Sequence, residues 1–115
     1  MLILQEIGAS ISLLLGLMGV VSPSAVEKFV SIQAVGELGV SEIRATYGGF
    51  FLGVSIYALF IQETQVFIAL GFAWLGAALV RAGTFILGSA TSKNAGGIVF
   101  ESIIGLLCLS SLLNT

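Results

Sequence analysis

The chain has 115 residues, 57% of them hydrophobic and 9% charged, with no His, one Cys and a formal net charge of −2; its mean hydropathy is +1.15. Soluble domains carry about 25% charged residues, so a water-soluble fold of this size lacks the polar atoms to cover its surface, and the bilayer is the expected solvent. No basic run or aromatic-basic interleaving points to nucleic acid. A lone Cys108 without His excludes an intrachain disulfide and offers neither a thiolate–imidazole pair nor a metal-ligand set.

A hydrocarbon core about 30 Å thick takes roughly 20 apolar residues per helix, so three or four spans use up the chain. The first apolar segment, 2–21, carries Glu6 and no Lys or Arg ahead of its apolar stretch, which reads as a retained span rather than a signal peptide. Gly8, Ser12 and Gly16 recur every four residues, a face suited to close helix contact. After Pro23, Ser24 and Glu27 stand three apart as a capping box, and Val26, Phe29 and Val30 follow helical spacing. This predicts a short amphipathic helix over 24–35 lying at the membrane interface and ending near Gly36.

The second segment, 43–61, opens with SEIRATYGG. At 100° per residue Glu42, Thr46, Gly49, Gly53 and Tyr57 share one face, on which Gly49 and Gly53 form a G-x-x-x-G suited to helix packing. Arg44, Gly48, Phe51 and Ser55 fall on another face, about 200° from Glu42, so this acid and base each look to a different element. The connection QETQ, 62–65, predicts a tight antiparallel hairpin. The third segment, 66–87, places Trp74, Ala77, Ala78 and Arg81 on one face, and GSATSKNAGG after it reads as a flexible turn with Lys93 at its tip. The fourth, 98–113, opening as early as Ala95, stacks Gly97, Glu101 and Gly105, leaving the carboxylate between two residues without side chains, which serve helix packing. Transmembrane strands alternate polar and apolar residues; these runs are continuously apolar, so the expected class is an all-α membrane four-helix bundle.

With antiparallel spans, Lys28, Arg44, Arg81 and Lys93, all four bases of the chain, lie on one side. The positive-inside tendency makes that side cytoplasmic and puts both termini outside. Arg81 and Glu101 lie roughly 5 to 10 Å inside that boundary and can pair, and Glu42, Arg44 and Tyr47 fall in the same leaflet. An intramembrane charge costs on the order of 2.5 to 3.5 kcal/mol, so mutual neutralisation is favoured. Glu42, Arg44, Tyr47, Arg81 and Glu101 are therefore the candidate ligand or ion-pair cluster. No nucleophile–base pair accompanies them, so catalysis is not expected.

The motifs EIRATYGGFFLG, ALVRAG and VFESIIG resemble a family of small bacterial four-span membrane proteins with no assigned function, allied by general pattern to the DoxX-like group. The resemblance implies a four-helix bundle in the bacterial inner membrane with an internal site at the five residues named above. DoxX-like relatives are associated with quinol oxidation systems, redox partners and assembly roles. This chain has no ligand set for haem, iron–sulfur or copper, so a redox role falls to a partner protein or a quinone holder. The expected function is that of a non-catalytic accessory or assembly subunit, whose small-residue faces dock against other membrane subunits or a second copy. The alternative is a pocket protein that binds a quinone, a lipid head group or a small anion at the Arg/Glu/Tyr cluster. A proton-coupled transporter is less favoured, because beyond Ser12, Ser55 and Tyr57 little lines the outer half.

Overall fold

The computed structural model describes residues 2–88 and 90–114, and every regular element among them is helical. Five helices follow in order: α1, Leu2–Val21; α2, Pro23–Val30; α3, Gly36–Ile61; α4, Thr64–Leu87; and α5, Ser92–Cys108, with a 3₁₀ turn over Ser110–Asn114. Three of them, α1, α3 and α4, are long and apolar enough to cross a membrane. The fourth expected span is shorter: α5 has 17 residues, roughly 26 Å of helix, and the chain then tightens into the 3₁₀ turn.

The first connection departs from the sequence pattern in three ways. Helix α2 starts at Pro23 with Ser22 in the N-cap position and no side-chain cap, so the Ser24–Glu27 capping box does not form. Glu27 instead reaches forward, its Oε2 accepting the Ala34 N–H at 2.7 Å, which folds the chain back along the helix. Ser31, at φ 60° and ψ 41°, ends α2 well short of residue 35. Gly36, at φ 67°, then begins α3 rather than ending a helix. The polar turns Gly36–Ile43 thereby join the second span, which runs 26 residues.

Within α3 the stretch Arg44–Phe50 is π-helical. A π turn inserts a residue into the helical repeat and is frequent at functional sites. Of the two glycines within it, Gly48 lies against Val20 and Gly19 of α1 and Gly49 is exposed. At the other end, Gln62 takes up a left-handed conformation with φ 60°, and its Nε2 donates to Leu59 O at 2.6 Å, turning the chain into α4 in two residues. The later turn is shorter than GSATSKNAGG suggests. Thr91 Oγ1 accepts the Asn94 N–H at 3.1 Å, so Thr91 caps α5 and Lys93 sits in its first helical turn. Ser89 lies outside the described residues.

Helix α1 lies between α3 and α5, and α4 packs along α5. Backbone approach at glycine sets both contacts of α1. A Cβ on Gly16 or Gly19 would stand 2.6 and 2.5 Å from backbone atoms of Leu52 and Tyr47, and one on Gly8 would meet Cys108 Sγ at 2.8 Å. Gly48 meets Val20 in the same way, and Gly71 and Gly105 bring α4 and α5 together. The packing glycine of α3 is therefore Gly48. Gly49 and Gly53, expected to pack, face outward, with nothing within 4 Å of a Cβ on Gly53. Gly97 and Gly105 do face neighbours, the Arg81 side chain and Leu75.

The Cα envelope measures 45 × 32 × 15 Å. The tight turn joins α3 to α4, but the two touch sparsely beyond it and diverge. The core is small: Ala9, Ala58, Phe67, Leu70, Trp74, Ile104 and Cys108. At the end away from the four bases, Gln5, Ser55 and Ser111 have buried side-chain polar atoms without a hydrogen-bond partner among the described residues.

Candidate functional site

The divergence of α3 from α4 opens a cavity of about 1010 Å³ at the basic end, to which all five helices contribute. Its floor is made by Trp74 of α4. Trp74 is 7% exposed, its Nε1–H donates to Ser12 Oγ of α1 at 3.1 Å, and Phe51 of α3 stacks on its ring at a centroid distance of 5.0 Å. These two contacts are the main bridge between α4 and the α1–α3 layer. Over the opposite side of the cavity lies α2. Its Phe29 meets Phe100 of α5 edge-to-face at 5.6 Å, and Lys93 Nζ of α5 donates to the Lys28 carbonyl.

One wall is charged. Arg81 of α4 and Glu101 of α5 form a two-pronged ion pair, Nε to Oε1 at 2.9 Å and Nη2 to Oε2 at 3.1 Å. Arg81 Nη1 also donates to Asn94 Oδ1 at 3.2 Å. The α4–α5 contact produces this geometry locally. Gly97 leaves a groove on α5 in which the guanidinium lies, since a Cβ there would stand 2.8 Å from Arg81 Cδ and Nε. A planar guanidinium suits such two-pronged recognition, and forked charged hydrogen bonds are the strong kind. Glu101 is 9% exposed, so both its oxygens depend on this partner. Arg81 has five N–H donors; three are engaged here, and the other two are available to a molecule in the cavity.

Of the five residues singled out from the sequence, the structure brings three to this cavity: Arg81, Glu101 and half-buried Tyr47, which lines it from the π turn. Glu42 is exposed and borders a separate shallow hollow beside Ala34 and Thr46. Arg44 is exposed and makes no ion pair among the described residues. Both lie on the outward side of α3, flanking Ile43, which is buried. Sequence reasoning missed Asn94 and Lys93 by assigning them to a flexible turn. The spacing Asn94, Gly97, Glu101, at i, i+3 and i+7, placed them on one helical face once Thr91 was read as a cap. It also missed Phe29, Phe51 and Phe100, because apolar spacing alone does not tell a cavity wall from a core.

The cavity is amphipathic. Leu15, Met18, Val26, Phe51 and Trp74 make its apolar part, and Arg81, Glu101, Asn94, Thr91 and Lys93 its polar part. Among the described residues no three His, Cys, Asp or Glu side chains converge as a metal site. Such a lining is chemically suited to a molecule with one polar and one apolar end. No protein-family model, curated protein or solved structure matches the chain. The comparisons therefore lend no support to the resemblance drawn from the three sequence motifs. The class that fold and site define is an all-helical chain with three helices of membrane-spanning length and a charged, aromatic cavity between them.

Proposed function

We propose that this is a small integral membrane protein that binds an amphipathic molecule in the cavity between α3 and α4. Its basic end lies at the cytoplasmic face of a bacterial inner membrane, and α5 completes four spans. The observation that carries the reading is the size and split character of the cavity. About 1010 Å³ stands at the top of the range of known ligand sites, roughly 300–1,000 Å³, and such sites pair mostly apolar walls with a few polar groups. A charged pair serving only to fix helix register needs no such space beside it.

The test uses Trp74, the only tryptophan of the chain. Because it is buried, contact quenching by a brominated acyl chain requires that chain inside the cavity. A brominated amphiphile added to the protein in mild detergent should quench Trp74 saturably, and Ala77→Phe, which fills the cavity wall, should abolish saturation. Quenching that is linear in quencher and indifferent to Ala77→Phe would count against binding.

A second reading, an accessory or assembly subunit, is favoured by Gly49 and Gly53. Their outward faces on α3 leave room for close approach by another helix. Purification of the native protein with no other chain attached would remove it.

A further inference from the structure

Charge is unevenly placed around the cavity. The deep pair is neutral as a unit, since both oxygens of Glu101 are taken by Arg81. The uncompensated charge lies at the mouth. Lys93 lines the cavity in the first turn of α5 and donates to the backbone carbonyl of Lys28, so the segment bearing the second lysine stands beside it. Both lysine side chains are exposed, and neither has an acidic partner among the described residues. Eight residues separate Lys93 from Glu101, roughly 12 Å along the helix, so an anion at the mouth stands about a Debye length from the buried carboxylate. Thr91 adds a hydroxyl at the same level. Inward from the mouth the walls turn apolar, through Phe29 and Phe100 to Phe51 and Trp74.

We infer that the molecule held here is an amphiphile with an anionic head, a carboxylate or phosphate seated at Lys93, and a hydrocarbon chain directed inward to Trp74. This rests on the reading of the cavity as a binding site and adds to it the sign and position of the head. The buried ion pair contributes shape and two neutral-field N–H donors, and the lysines contribute the preference for charge. A cationic or uncharged head forgoes the lysines without gaining Glu101, which is already engaged.

Two matched pairs of probes test this in detergent micelles at low salt and mildly alkaline pH: dibromostearate against its methyl ester, and dibromoacyl phosphatidylglycerol against the corresponding phosphatidylcholine. Half-quenching of Trp74 by the anionic member of a pair should need about a fivefold lower mole fraction than by the neutral member. Lys93→Gln should bring that ratio close to one by weakening binding of the anionic member. A preference seen only with stearate identifies a free single-chain ligand, and one seen only with phosphatidylglycerol identifies a bilayer lipid; either supports the anionic head. Equal quenching within both pairs, or a preference that survives Lys93→Gln combined with Lys28→Gln, would overturn the inference while the cavity remains a binding site. Absence of saturable quenching by all four probes would overturn the binding reading itself.

Discussion

Replacing Arg81 by Leu removes the only charged partner, among the described residues, of a carboxylate that is 9% exposed. Two charged hydrogen bonds to Glu101 and one to Asn94 are lost together. Breaking a buried pair from one side costs about 3–5 kcal/mol, because the remaining charge stays buried. Here the Arg81 side chain is 31% exposed against 11% for Glu101, so water entering the vacated groove offsets part of that loss, and about 2–4 kcal/mol is the expected destabilisation. Removing both charges behaves differently, since an apolar pair of similar volume is often neutral or stabilising. Arg81→Leu combined with Glu101→Leu should therefore recover to within about 1 kcal/mol of the parent. Denaturant unfolding in mixed micelles, followed by Trp74 emission, reads both. A single variant as stable as the parent, or a double variant no better than the single, would refute the view that the cavity wall is a mutually dependent buried ion pair.

Glycine substitutions separate faces that look alike in sequence. Gly53→Ala places a methyl group in open space and should raise stability by about 0.5–1 kcal/mol through helix propensity. Gly19→Ala, whose Cβ would stand 2.5 Å from the Tyr47 carbonyl oxygen, should lower it by about 1–3 kcal/mol. Thermal unfolding of the two variants side by side checks the contrast, which inverts if α1 and α3 pack through Gly53. Gly97→Ala should displace Arg81 from Glu101, so that a following Glu101→Gln costs less than it does in the parent; additivity in that double-mutant cycle would contradict the geometry. Gln5→Met exchanges a buried amide whose two polar atoms lack partners among the described residues for an apolar chain of similar length. It should be neutral or stabilising by about 1–3 kcal/mol, and a clear loss on chemical denaturation would mean that the amide is satisfied.

Composition and unbroken apolar runs were enough to read an all-helical chain, because burial of backbone groups in lipid leaves few alternatives. The pair of Arg81 and Glu101 was legible too, since two intramembrane charges at equal depth on neighbouring helices have few better options. What escaped the sequence lies in the connections. Glu27 has the spacing of a capping box, yet its carboxylate serves Ala34 seven residues on, a tertiary choice that local spacing does not encode. Thr91 had the chemistry of an N-cap, but the glycines after it argued for a loop, and so Lys93 and Asn94 were left out of the site. Gly48 and Gly49 are indistinguishable by type; a uniform 100° per residue rightly kept Gly48 with Ser55, both buried, and Gly49 with Gly53, both exposed, but the G-x-x-x-G spacing favoured the wrong one of the two faces. The cavity arises from the divergence of α3 and α4, a relation between helix axes that no single helix carries in its pattern.

The central claim, that the cavity at the basic end holds one amphiphile, is tested most directly by native mass spectrometry of the protein released from mild detergent. The account predicts a single adduct per chain that persists under gentle activation and disappears in Ala77→Phe, whose side chain occupies the same space. A bare chain in the parent, or an adduct retained unchanged in Ala77→Phe, would contradict it.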